Sequence, residues 1–137
     1  MKLIVDASAA ASWLLASQAT PAATELLNRL EAFETSAPHL FQWEIGNLLV
    51  RQTRREPGFS LGEAFTVLDS FRITLAPPTG RDAVRALAGL AAARGLSLFD
   101  AGYLWLAMQT DGALASRDES LLAAATAASV DVFDLRG

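Results

Sequence analysis

The sequence predicts an α/β domain built on a short, mostly parallel sheet. Brief β-capable runs alternate with longer helix-period segments, and turn and cap residues fall between them. No repeat, low-complexity tract or linker interrupts the pattern. The run Lys2–Val5 ends in Asp6-Ala7-Ser8, a strand entering a helix expected from Ala9 to Ala16. Thr20 and Pro21 open a second helix as N-cap and first residue, with an apolar face of Ala23, Leu26, Leu27, Leu30 and Phe33. Ser36-Ala37-Pro38 leaves room for a very short strand or a turn. A long helix follows from about His39 to Arg55, stopped by Pro57-Gly58. Ser60-Leu61-Gly62-Glu63 has capping-box form and starts a helix reaching about Phe71. Arg72–Leu75 is strand-like, and Thr79–Arg94 is an alanine-rich amphipathic helix closed by Gly95. Ser97–Thr110 is apolar nearly all round, which predicts a central helix. Asp111-Gly112 turns into a strand Ala113–Ser116, followed by a helix to Ala128 and a strand Val130–Leu135.

Composition narrows the chemistry. The 137 residues are 52% hydrophobic, enough for one sizeable core and too apolar for disorder. With no cysteine, disulfides, thiolate metal sites and cysteine nucleophiles are excluded. A lone histidine, His39, argues against a His-rich zinc site or a Ser-His-Asp triad. No apolar run approaches the roughly 18 residues of a membrane span, and no secretory leader is evident, so a cytoplasmic protein is expected. The net charge of −4 weighs against holding nucleic acid by bulk charge, but an acid-rich metal site would account for much of the excess.

Four acids stand where a carboxylate is hard to explain. Asp6 ends the first strand, and Asp118 follows Ala113-Leu114-Ala115 closely. In α/β folds, ligands bind beyond the carboxyl ends of the strands where strand order reverses, so that rim is the expected place for both. Glu44 lies within the helical stripe of Phe41, Ile45 and Leu48, and Asp100 shares a face with Tyr103, Leu104 and Ala107. Ordinary roles remain open: Asp6 as an N-cap, Asp100 closing a box with Ser97, and Asp118 complementing a helix dipole beside Ser116 and Glu119. Glu44 is the acid that such roles explain least. Gathered together, four like charges cannot all stay ionised without a cation, and hard oxygen ligands suit Mg²⁺ or Mn²⁺.

The neighbourhoods of these acids resemble the PIN-domain ribonucleases, and specifically the VapC toxins of prokaryotic toxin–antitoxin pairs. The blocks are Val5-Asp6-Ala7-Ser8, Glu44-Ile45-Gly46-Asn47-Leu48-Leu49, Asp100-Ala101-Gly102-Tyr103-Leu104-Trp105-Leu106-Ala107 and Leu114-Ala115-Ser116-Arg117-Asp118-Glu119-Ser120-Leu121. Each block is weak alone, but four in order across one chain make a strong signal. The resemblance implies a three-layer α/β/α domain over residues 1–137, with Asp6, Glu44, Asp100 and Asp118 as catalytic metal ligands. It further implies endonucleolytic hydrolysis of RNA with Mg²⁺ or Mn²⁺, a VapB-type antitoxin that inhibits it, and a homodimer. Asp6 and Asp100 are expected as direct ligands, with Ser8, Asn47 and Ser116 as supporting hydrogen-bonding groups. Arg51, Arg54, Arg55 and Arg117 are candidates for RNA contact, against the ordinary role of solvated arginines. His39 could donate to substrate or be a satisfied structural histidine. Trp13 and Trp43 are expected in the antitoxin groove or the dimer contact. The alternative is a catalytically inactive PIN-like module that binds RNA or protein. A phosphoacceptor domain would need a lysine near the pocket, and Lys2 lies at the wrong end of its strand. A dehalogenase-like phosphatase would need a second acid where Ser8 stands.

Overall fold

Strand and helix alternate along the computed structural model, which describes residues 1–137. The order is β1 (Lys2–Val5), α1 (Ala7–Leu14), α2 (Pro21–Asn28), β2 (Glu34–Ala37), α3 (Phe41–Arg55), α4 (Leu61–Ser70), β3 (Thr74–Leu75), α5 (Arg81–Arg94), α6 (Leu98–Thr110), β4 (Ala113–Ser116), α7 (Glu119–Ala127) and β5 (Val132–Asp134). The strands form one sheet in the order β3-β2-β1-β4-β5, and every pairing is parallel. The sheet is therefore wholly rather than mostly parallel, because helical crossovers connect all its strands. The chain first builds outward from β1 to β3, then crosses back to β4 and builds outward to β5. Strand order thus reverses between β1 and β4.

Parallel sheets must be covered on both faces, and β1 and β4 show it. Leu3, Ile4 and Val5 are fully buried, as are the residues of β4. α6 packs on β1 and β4 beside α5 and α7, while α1 packs with α2, α3 and α4. The result is the three-layer α/β/α arrangement. Thr20 caps α2 through the Ala23 N–H, and its own hydroxyl donates to the Leu135 carbonyl at 2.7 Å. That helix stops at Asn28, earlier than its apolar stripe. Leu30 lies in a 3₁₀ turn, and Phe33 meets Phe133 of β5 edge-on at 5.6 Å.

Two expectations change. α6 is not enclosed: Tyr103, Leu104 and Ala107 are buried, but Leu98, Phe99, Trp105 and Met108 are 39–55% exposed. Its all-round apolarity reflects an outer face that no other element covers. Trp13 does not belong to an open surface. Its indole N–H donates to the Ala23 carbonyl at 2.9 Å, and its ring meets Phe71 edge-on at 5.4 Å, tying α1 to α2 and the end of α4. Trp43 remains 75% exposed.

The turn before β4 uses its two residues differently. Asp111 takes the left-handed conformation (φ 52°), whereas Gly112 is needed for space: a Cβ there would lie 3.2 Å from the Lys2 carbonyl oxygen. Gly112→Ala should therefore destabilise the fold by about 1–3 kcal/mol through forced crowding. Gly89 lies exposed inside α5 with nothing near its missing Cβ, so Gly89→Ala should stabilise by roughly 0.5–1 kcal/mol. Denaturant unfolding of the two variants should shift in opposite directions.

Candidate active site

The carboxyl ends of β1 and β4, side by side at the reversal of strand order, position the first acid. Asp6 follows β1 directly, is only 4% exposed, and caps α1 by accepting the Ala9 N–H at 2.8 Å. Its Oδ1 also accepts from the Ser8 hydroxyl at 2.8 Å, and its Oδ2 accepts from the Ser116 hydroxyl at 2.5 Å. Each hydroxyl is oriented in turn by a backbone N–H. Arg117 N–H donates to Ser8 Oγ and Asp118 N–H to Ser116 Oγ, both at 2.9 Å. The β4–α7 connection thus feeds two peptide donors through two hydroxyls into one carboxylate. Of the roughly four lone-pair positions on a carboxylate, this leaves one, on Oδ2.

Asp118, rather than Ser116, is the N-cap of α7: its Oδ1 accepts the Leu121 N–H at 2.9 Å. Ser116 is fully buried and turned toward Asp6. The structural and functional readings are therefore compatible, since the Asp118 cap occupies one oxygen and leaves the other available, and Asp6 keeps one lone-pair position on Oδ2.

Helices α3 and α6 supply the remaining acids. Glu44, Asn47, Leu48 and Arg51 fall at positions i, i+3, i+4 and i+7 of α3, so they share one face. Asp100 and Tyr103 are three apart on α6, whose N-cap Ser97 accepts the Asp100 N–H at 3.1 Å. The Tyr103 hydroxyl donates to Glu44 Oε1 at 2.7 Å, joining the two helices.

These elements enclose a pocket of about 240 Å³ lined by Asp6, Ala7, Ser8, Glu44, Asn47, Leu48, Arg51, Asp100, Tyr103 and Asp118. All four sequence-identified acids meet there, with Ser8 and Asn47, and Ser116 stands just behind Asp6. Arg51 alone of the four arginines lines the pocket. Arg54 and Arg55 sit in the last turn of α3, where they complement its dipole. Arg117 is held aside, its Nη1 donating to Gln18 Oε1 at 3.0 Å. His39 lies 3.2 Å from the Gln42 side-chain nitrogen, a local surface pairing. Tyr103 escaped the sequence reading as a site residue because a tyrosine on an apolar helix face looks like core. Its three-residue offset from Asp100 was the available signal. A larger groove of about 950 Å³ lies at the opposite end of the strands, where Lys2, Glu31, Glu34 and Arg72 mix charges without a comparable constellation.

The electrostatics follow from crowding. Burial pushes the Asp6 carboxyl up to about 6 against the pull of its Ser116, Ala9 and Ser8 donors, with a further upward push from Asp100. Asp100 is also raised to about 6, by burial first and then by Asp118 and Glu44, while the Ser97 hydroxyl acts the other way. Burial raises Glu44 against the Tyr103 hydrogen bond. No three of the carboxylates stand close enough to share one ion as direct ligands. The donor set still fits Mg²⁺ or Mn²⁺: it is all hard oxygen, and Mg²⁺ keeps several waters beside one or two carboxylates.

The family model for the PIN domain matches residues 3–127. The crystal structure of PAE2754 from Pyrobaculum aerophilum aligns with a TM-score of 0.66, covering 90% of this chain and 84% of that one at 24% identity. That likeness bears on the fold alone. No curated protein matches the sequence. The family match runs from β1 to the end of α7 and encloses all four acids, and the chain therefore belongs to the PIN domain family.

Proposed function

We propose that the protein is a metal-dependent endoribonuclease toxin of the VapC kind, acting as a single cytoplasmic domain and inhibited by a VapB-type antitoxin. The observation that carries this reading is the convergence of four acids, from four separate elements, on one pocket at the reversal of strand order. PIN domains are typically metal-dependent nucleases. No helix is long and apolar enough to cross a membrane.

Asp6 and Asp100 would hold Mg²⁺ or Mn²⁺ directly, with Glu44 and Asp118 completing the shell through water. A bound ion would lower the pKa of a coordinated water and offset charge on the phosphoryl oxygens. The protein groups do the rest. Ser8 and Ser116 fix the rotation of the Asp6 carboxylate, and Asn47 offers an amide within the pocket. Arg51 would bind a backbone phosphate beside the scissile one, with Arg54 and Arg55 continuing the basic strip along α3. Attack by water needs no side-chain nucleophile, and the chain has no cysteine to offer. For the antitoxin and a second copy of the chain, the uncovered aromatics Trp43, Phe99 and Trp105 are the best available surface.

Three outcomes are expected. Asp100→Asn should slow Mn²⁺-dependent RNA cleavage on the order of 100-fold or more, since metal stabilisation is worth several kcal/mol. Full cleavage by this variant in a gel assay, or cleavage in excess chelator, would remove the mechanism. Trp43→Ala should weaken capture of a co-expressed antitoxin while leaving cleavage intact, and equal capture would take Trp43 out of that interface.

A third test uses pH. Asp6 is raised from 3.8 to about 6, so the folded chain binds this proton more readily than the unfolded chain. The stability contributed by this group is complete below pH 4 and lost as pH rises through 6, a loss of about 3 kcal/mol. Metal-free Asp6→Asn should therefore gain stability over the wild type as pH climbs from 4 to 7. Thermal melts in chelator that show a constant difference across that range would refute the assignment.

A further inference from the structure

Tyr103 is the largest fully buried side chain and the only tyrosine of the chain, yet its hydroxyl is spent at the acid pocket rather than in the core. It touches or adjoins three of the four acid-bearing elements. It stands three residues after Asp100 on α6, donates to Glu44 Oε1 of α3 at 2.7 Å, and faces the backbone N–H of Ala7, the residue after Asp6. The direction of the proton is fixed by chemistry. The phenol carries a single proton and gives it to Glu44 Oε1, which as a carboxylate oxygen accepts. With Oε1 occupied, Glu44 has Oε2 as its free oxygen. A phenol held by packing is a stiff donor, because a fully buried ring cannot swing away from its partner.

We propose that Tyr103 is a positioning residue: it clamps one oxygen of Glu44 so that the other is presented to water bound by a divalent cation. The inference rests on the metal-dependent reading of the pocket and deepens it. Glu44 sits on an exposed-ended helix with three side-chain torsions to fix, and Tyr103 is the one side chain seen to fix them. Asp6 and Asp118 need no such clamp, since backbone donors already hold them.

Calorimetric titration of the full chain with Mn²⁺ tests this without reference to turnover. Tyr103→Phe keeps the ring and deletes the clamp, and should weaken Mn²⁺ affinity about tenfold, as removal of such supporting hydrogen bonds commonly does. Tyr103→Phe combined with Glu44→Gln should bind no more weakly than Glu44→Gln alone. In the wild type, Mg²⁺ should shift the NMR signals of this sole tyrosine ring, and in Glu44→Gln that shift should vanish. The ring signal keeps the test available even if Tyr103→Phe does not fold. Wild-type affinity in Tyr103→Phe with only a lowered melting temperature would show a merely structural tyrosine and overturn the proposal, leaving the metal reading standing. A Mg²⁺-bound wild type whose ring signals stay unshifted would overturn it too. No metal binding by the wild type would overturn the reading of the pocket itself, and the role of Tyr103 with it.

Discussion

A carboxylate as deeply buried as that of Asp6 is costly unless donors surround it, and the rest of the site is arranged around meeting that condition. Three donors reach it, and none comes from a charged side chain. Two are hydroxyls oriented by peptide N–H groups of the β4–α7 connection, so the arrangement exists only if β4 lies beside β1. That adjacency is set by the crossover that reverses strand order. Topology and carboxylate solvation are thus one constraint: the chain can bury Asp6 because the strand that brings Ser116 is its neighbour.

Dipolar donors solvate the charge without neutralising it. An arginine in place of Ser116 would remove the very charge that a cation is to meet. The hydroxyls leave Asp6 raised, oriented and short of a counter-charge, and Asp100, Glu44 and Asp118 add to the deficit. Such a site opposes folding when empty and gains most when a divalent ion binds, because binding to the folded state alone adds stability by mass action. In the proposed mechanism, the instability built into the pocket and its affinity for metal have one origin.

The elements and the acids were legible in the sequence for different reasons. Pro21, Gly95 and Ser97 act locally, and the structure uses each where local chemistry places it. Asp6 and Asp118 were legible because a strand followed by an acid is a short-range pattern. The part that was not legible depends on pairs distant in sequence. Ser8 and Ser116 meet at one carboxylate across 108 positions, and Tyr103 reaches Glu44 across 59. The expectation of a central α6 failed in the same way. Its periodicity reports apolar side chains, but whether a partner covers Trp105 and Met108 is a property of the assembled layers. Trp13 misled in the opposite direction, since its indole finds a carbonyl acceptor ten residues away that no pattern announces.

A chain of net charge −4 is an unpromising partner for a polyanion until the location of the charge is considered. Four of its acids face one pocket, and they would repel a phosphate most strongly where chemistry is to occur. Each divalent ion held there adds two positive charges at that point, so the local sign changes with metal while the distant surface does not. In the proposed mechanism Arg51 at the pocket wall, with Arg54 and Arg55 further along α3, would then offer the phosphate backbone a path toward the acids. Screening confines these interactions to about 10 Å at ordinary salt, which makes the placement of Arg51 matter more than the sum over the sequence. On this reading the metal does more than activate water: without it, the substrate meets a repulsive site.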